Sequence, residues 1–308
     1  MPIPVLIDTD MGIDDAVAVT LALAAGEIDL VGLVSVGGNV ALDQATTNMP
    51  RLLTGLQLKK WPPLGRGLSQ NGPDLKDATH VFGSDGLGEI DLPAAAEPEL
   101  SYVDVYERCI DAHDGKLVII AVGPLTNLAA LLREKPGLLQ RAARIIIMGG
   151  AIWCPGNVTR HAEFNFHCDP TPACEVMTSG LPITVVPLDV TRQVPLDESH
   201  MAHLARSNTK CGELLARMIR YPLESATGPD RGQFLVHDAM AVGVLLWPEL
   251  FTQAKMGLEI STNGEHAGQC RPIVTKDKQR QVGVVISVNV TDFLENLLET
   301  LCHEKFVV

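Results

Sequence analysis

The sequence predicts an α/β protein built on an open, mainly parallel sheet with helices on both faces. Short β-branched runs alternate with helix-length patterns, and each run ends on a polar or Gly-rich turn. Hydrophobic residues make up 46% of the chain and charged residues 20%, so it can bury a substantial core. Its 308 residues fit one large α/β domain spanning 1–308, near the size at which single cores stop growing.

Val5 to Ile7 is the first apolar run, and a helical pattern over Asp14 to Ala25 follows it. Leu30 to Val36 precedes a helix from Leu42 to Leu56, and a further helix over Val103 to Ala112 leads into the run Leu117 to Val122. Thr126 to Glu134 is helical, Ile145 to Met148 is again a strand, and Pro170 to Ser179 opens with a proline suited to a first helical turn. Ile183 to Val186 is the next strand. Because these runs are apolar throughout and do not alternate, they read as central strands covered on both faces, a Rossmann-like βαβ succession. Asp238 to Trp247 is one more helix. Lys255 to Ile260, Arg271 to Val274 and Val282 to Val288 read as extra C-terminal strands, antiparallel or extending the main sheet, before a closing helix from Val290 to Cys302. In such a sheet ligands bind beyond the carboxyl ends of the strands, which is where chemistry is to be sought.

Thirty-seven Asp and Glu against 24 Lys and Arg give a net charge of -13, a field that repels phosphate backbones and anionic lipid. No nucleic acid and no membrane partner is expected. The densest basic cluster, Lys276 to Arg280, contains Asp277 and reads as a solvated turn. Met1-Pro2-Ile3-Pro4 is not a basic segment ahead of an apolar one, and the apolar stretch Ala16 to Ala25 stops at Gly26-Glu27, too short to span a bilayer. Seven cysteines with no C-x-x-C pair fit neither a disulfide framework nor a zinc site, so a reducing cytoplasmic location is expected.

The most informative stretch is Asp8-Thr9-Asp10-Met11-Gly12-Ile13-Asp14-Asp15-Ala16. Period-two geometry puts Asp8 and Asp10 on the same side of an extended chain, and Gly12 permits a tight turn. Asp14 and Asp15 open a helix, where free N–H groups and the helix dipole favour carboxylates. That accounts for two acids but not for the group, since unit charges about 4 Å apart repel by ~4 kcal/mol at an effective dielectric near 20. A cation is expected among them, and hard oxygen ligands without a His/Cys cluster suit calcium or magnesium.

The stretch resembles the signature D-x-D-x-G-x-D-D-A of the inosine-uridine nucleoside hydrolase family. Met11 stands where that family usually has Pro, a change expected to alter turn stiffness more than ligand chemistry. Further segments in the family's order extend the resemblance over nearly the whole chain: Gly37-Gly38-Asn39, Gly123-Pro124-Leu125-Thr126-Asn127, Met148-Gly149-Gly150, Gly156-Asn157, Ala162-Glu163-Phe164-Asn165, Asp169-Pro170 and Val236-His237-Asp238-Ala239, the last with Ala for a common Pro.

The resemblance implies the nucleoside hydrolase fold and Ca2+-dependent hydrolysis of the N-glycosidic bond of ribonucleosides, giving ribose and a free purine or pyrimidine base. It implies a metal shell of Asp10, Asp15, Asp238 and the Thr126 carbonyl, with the Thr126 side chain also able to cap its helix. Asp14 and Asn165 would hold the 2'-hydroxyl, Asp238 the 3'-hydroxyl, and Asn157 and Glu163 the 5'-hydroxyl, with Met148 and Asn39 completing the ribose pocket. Carboxylates with amides suit a ligand whose hydroxyls both donate and accept. Asp10 would take the proton of a metal-bound water near Asn39, and His237 would give one to the departing base. Asp8 would orient the ligands from outside. Direct attack of water at C1' implies inversion.

Base contacts fall to loops around 77–88 and 221–236, with Phe82, His80, Tyr221, Arg231, Gln233, Phe234 and His237 as candidates. Phe82 stands where relatives often carry His; it either stacks on the base or is buried under its loop. Purine versus pyrimidine preference stays open. His161, His167, Cys168 and Asp169 match no zinc spacing and are assigned to packing and loop solvation. The family's habit implies a homodimer or homotetramer acting on a small-molecule nucleoside.

Two other readings remain. Asp8-x-Asp10 after an apolar strand also resembles the haloacid-dehalogenase-type phosphatases, although Gly12 departs from their pattern. A catalytically idle ribose- or nucleoside-binding protein would keep the fold and cation without turnover. Release of phosphate, release of free base, or tight binding without hydrolysis separates the three.

Overall fold

Each of the five apolar runs becomes a strand of one sheet. The computed structural model describes residues 1–70, 77–226 and 231–303. In chain order the strands are β1 (Ile3–Thr9), β2 (Ile28–Ser35), β3 (Leu64–Arg66), β4 (Leu100–Ser101), β5 (Val118–Ala121), β6 (Arg144–Met148), β7 (Ile183–Val186), β8 (Pro195–Leu196), β9 (Phe234–Leu235), β10 (Phe251–Ile260), β11 (Cys270–Ile273) and β12 (Gln281–Val288). Ten of them lie in the order β11-β10-β12-β7-β6-β5-β1-β2-β3-β4, and β8 pairs with β9 apart from that sheet.

Pairing is parallel from β12 through β7, β6, β5, β1, β2 and β3 to β4. The two expectations for the tail both hold: β12 extends the parallel sheet beside β7, while β10 runs antiparallel to β12 and to β11. From β1 the chain steps outward through β2, β3 and β4, then returns to place β5 on the other side of β1. The strand order therefore reverses between β1 and β5, where open α/β sheets bind ligands.

Alternation along β1 sends Val5 and Ile7 into one core and Leu6 into the other, so both faces are covered. The helix Ile13–Ala24 is almost wholly buried, because the helices His237–Leu246 and Val290–Cys302 pack on it in turn. That enclosure explains why its residues are apolar all round. Among the described residues no helix is long and apolar enough to cross a membrane. Lys276 to Arg280 forms an exposed turn, as expected. β3, β4, the β8–β9 pair and the helices Glu198–Arg206 and Lys210–Ser225 were not anticipated; the short strands carry too few residues to show a period.

Candidate active site

Beyond Thr9 the chain turns through Met11 and Gly12 into the helix Ile13–Ala24. Asp15, in the first turn of that helix, accepts the Gly12 amide at 2.8 Å and the Asp10 amide at 3.2 Å, and the Thr9 hydroxyl also donates to it. Met11 has φ of 50°. Proline, held near -65°, cannot take that conformation. A proline at this slot would therefore need a differently shaped turn. Space is equally restrictive, since a Cβ on Gly12 would lie 2.6 Å from the Asn39 side chain and one on Gly38 would lie 2.0 Å from Asp10.

Asn39, just beyond β2, binds the acids together. Its backbone amide donates to Asp10 Oδ2 at 2.6 Å, and its side chain donates to Asp10 Oδ1 at 3.1 Å and Asp15 Oδ2 at 2.9 Å. Asp238 lies in the first turn of His237–Leu246, the helix that packs on Ile13–Ala24, and so meets Asp14 and Asp15. One oxygen from each of these three carboxylates falls within 4.8 Å of the others.

Burial, reinforced by their mutual repulsion, pushes Asp10, Asp14 and Asp238 well above the usual carboxylate range. Burial raises Asp15 too, against hydrogen bonds from Thr9, Gly12 and Asn39. Asp14 Oδ1 is buried without a hydrogen-bond partner. An all-oxygen donor set with an unsatisfied buried oxygen fits a hard divalent cation.

The Thr126 turn follows β5 and lies against the cluster: a Cβ on Gly123 would be 3.2 Å from Asp10. Leu125, not Thr126, is the N-cap of the helix Thr126–Glu134, and the Thr126 hydroxyl donates to Asp169 Oδ2 at 2.7 Å. Side-chain capping by Thr126 is thus corrected, and buried Asp169 does more than solvate a loop. Asp8 accepts from the Tyr106 hydroxyl at 2.8 Å and Asn127 Nδ2 at 2.9 Å, and burial holds its carboxyl up at about 7 despite them. Asn127 also donates to the Ser35 carbonyl at 3.0 Å, so Asp8 is tied to the turn that carries Thr126.

Glu163 is the N-cap of Phe164–Cys168, accepting the amides of Asn165 at 2.7 Å, Phe166 at 3.1 Å and Gly150 at 2.9 Å. Burial nevertheless raises its carboxyl. Asn165 donates to the carbonyls of Val122 at 2.8 Å and Met148 at 3.3 Å, and exposed Asn157 accepts the Phe164 amide at 2.9 Å. These residues therefore gather at the ends of β5 and β6. His167 is buried with Nδ1 3.0 Å from the Ala267 carbonyl, and His161 packs edge-on against His266, in keeping with packing roles.

The base-side candidates are less uniform. Phe82 and Phe234 are buried, Tyr221 is half-buried, and His80, Arg231 and Gln233 are exposed. The Phe82 ring lies 3.0 Å from where a Gly12 Cβ would be, and Tyr221 touches the turn at Gly83 and Gly88. Residues 227–230 of the second loop lie outside the described residues. His237 keeps some surface exposed, with Nδ1 2.7 Å from the Thr191 hydroxyl. Burial and the nearby Arg192 cation hold its imidazole down at about 4. Thr191 was not anticipated, because nothing in its local sequence marks it.

A family model described as "Inosine-uridine preferring nucleoside hydrolase" matches residues 5–295. A pyrimidine-specific ribonucleoside hydrolase from Citrobacter koseri is 34% identical over 86% of this chain and 86% of its own length. Uridine nucleosidase 1 of Arabidopsis thaliana is 33% identical over 84% of this chain and 78% of its own. Among solved structures, a purine-preferring ribonucleoside hydrolase from Gardnerella vaginalis superposes with a TM-score of 0.90 at 29% identity, covering 97% of this chain and 98% of that one.

Proposed function

The chain belongs to the inosine-uridine preferring nucleoside hydrolase family, and from that premise we propose that it is a Ca2+-dependent ribonucleoside hydrolase, releasing ribose and a free purine or pyrimidine base. The observation that carries the reading is the convergence of Asp10, Asp14, Asp15 and Asp238 at the strand ends, buried and with one Asp14 oxygen unpartnered.

Asp10, Asp15, Asp238 and the Thr126 carbonyl would hold the cation. When bound it would offset the repulsion among the carboxylates, draw in the sugar diol and make water easier to deprotonate. Asp10 is the base in this reading: two Asn39 donors fix its orientation, and burial raises its proton affinity. Asp14 and Asn165 grip the 2'-hydroxyl, and Asp238 the 3'-hydroxyl. Glu163 uses three lone pairs on backbone amides, leaving capacity to accept from the 5'-hydroxyl beside Asn157. His237 would lie beside the departing base with Thr191 on its other nitrogen; the expected proton gift is corrected to a hydrogen bond from a ring N–H, because burial and Arg192 hold the imidazole down at about 4. Attack at C1' without a covalent sugar intermediate gives inversion.

The phosphatase alternative is disfavoured because its nucleophile would be Asp8, whose Oδ2 already accepts from both Tyr106 and Asn127. Family membership further supports one domain over 1–308, working in the cytoplasm as a homodimer or homotetramer. The deciding experiment is incubation of the protein and calcium with a panel of purine and pyrimidine ribonucleosides and with phosphate esters. Free base released only with calcium is expected. Phosphate release without free base would overturn the reading, and tight nucleoside binding without hydrolysis would select the idle binding protein.

A further inference from the structure

The loop 151–157 that leaves β6 is fastened by one short helix, Leu188–Thr191, lying just beyond β7. The Asp189 carboxylate accepts the Ile152 amide at 2.9 Å and the Trp153 amide at 2.7 Å. The Arg192 guanidinium donates to the Pro155 carbonyl at 2.6 Å and the Gly156 carbonyl at 2.9 Å. A carboxylate thus holds the first part of the loop and a cation the second, through charge-assisted bonds in the geometry that a guanidinium fork suits. The next residue, Asn157, accepts the Phe164 amide at 2.9 Å beside Glu163. Between the two anchors stands Thr191, whose hydroxyl is 2.7 Å from His237 Nδ1.

We infer that Asp189 and Arg192 are positioning residues for the sugar end of the substrate, fixing the 152–156 backbone so that Asn157 and Glu163 meet the 5'-hydroxyl. This role rests on the ribonucleoside hydrolase reading. A staple that served stability alone would not distinguish one substrate from another. A positioning clamp must, because its loss affects only substrates that carry the group it positions.

The test compares the wild type with Arg192→Gln, Arg192→Lys and Asp189→Asn. It measures kcat and KM on a ribonucleoside and on its 5'-deoxy counterpart, with hydrogen exchange of residues 151–158 followed in parallel. At pH 8, where the His237 imidazole is uncharged with or without the Arg192 cation beside it, Arg192→Gln is expected to lower kcat/KM by about 30-fold for the ribonucleoside but by no more than about 3-fold for the 5'-deoxy analogue. Arg192→Lys should recover part of the difference, since an ammonium restores charge without the fork. Asp189→Asn, nearly isosteric, should speed exchange at Ile152 and Trp153 by about tenfold or more. Equal losses on both substrates in a folded variant, or unchanged exchange in the loop, would overturn the inference and leave the hydrolase reading intact. A wild type that releases no base from any nucleoside would instead sink the hydrolase reading, and this role with it.

Discussion

Asp10, Asp14, Asp15 and Asp238 are each at most 5% exposed and stand at a strand end or in the first turn of a long helix. His80, Tyr221 and Arg231 stand on or beside loops, exposed or half-buried. The acidic cluster places like charges where water cannot screen them, so backbone amides, Asn39 and either protonation or a counter-ion must compensate. The base side has no such constraint and can change residue by residue without threatening the fold. Under the proposed function, the difference would separate the residues that permit the reaction from those that select among its substrates.

The largest effect should come from the rigid half. Asp10→Ala removes the proposed base and two acceptors of Asn39, and is expected to lower kcat/KM by at least about 10³-fold. Steady-state kinetics on any cleaved nucleoside checks this. Near-normal turnover would break the comparison, because the buried acids would then be structural alone.

A smaller but more general effect concerns stability. In the metal-free protein the cluster's carboxyls sit above their ordinary range, chiefly through burial. Groups raised in this way favour the folded state while protonated. Their contribution is full below the ordinary carboxylate range and is lost as pH rises through the raised values. Thermal melts in chelator should therefore show lower stability at pH 8 than at pH 5. A bound dication needs the ionised form, so calcium should reverse that slope, adding ~2.7 kcal/mol at a hundredfold excess over Kd. An identical pH slope with and without calcium would remove the cation from the cluster.

Asp10, Asp14 and Asp15 are legible in the sequence because their signals are local, whereas Asp238 is implied only by the family resemblance. Charges at the end of an apolar strand, a glycine at a turn and acids in a first helical turn each have one physical explanation within a few residues. What sequence reading missed depends on contacts made only by folding. Tyr106 reaches Asp8 from a helix far along the chain, Thr126 turns to Asp169 and not to its own helix end, and the Asp189 and Arg192 bonds need β6 and β7 to be neighbours. Met11 belongs to the same class, since its positive φ occurs in a turn whose flanking amides, from Asp10 and Gly12, converge on Asp15. The reading of Phe82 stopped at two alternatives for a related reason. Whether an aromatic residue faces a ligand or a core is set by the loop that carries it, and here that loop is held from outside by Asn48, which donates to the carbonyls of Met11 at 3.3 Å and Asp85 at 2.7 Å.

Phe82 gives the finest test of the division between the halves. Its side chain is 7% exposed, which agrees with a buried hydrophobe, yet the ring edge abuts Gly12 in the acidic turn, next to the ring of acids. Phe82→Leu keeps an apolar side chain while removing the π face, and should cost ~1–2 kcal/mol of stability through lost packing. If the ring meets the base, the ratio of kcat/KM for a purine over a pyrimidine ribonucleoside should shift by about 3- to 10-fold, since bases of different size stack unequally on it. If it only supports the turn, both substrates should lose activity in proportion and the ratio should stay fixed. A fixed ratio would move Phe82 to the rigid half and leave Tyr221 and Arg231 as the base-side positions to examine next.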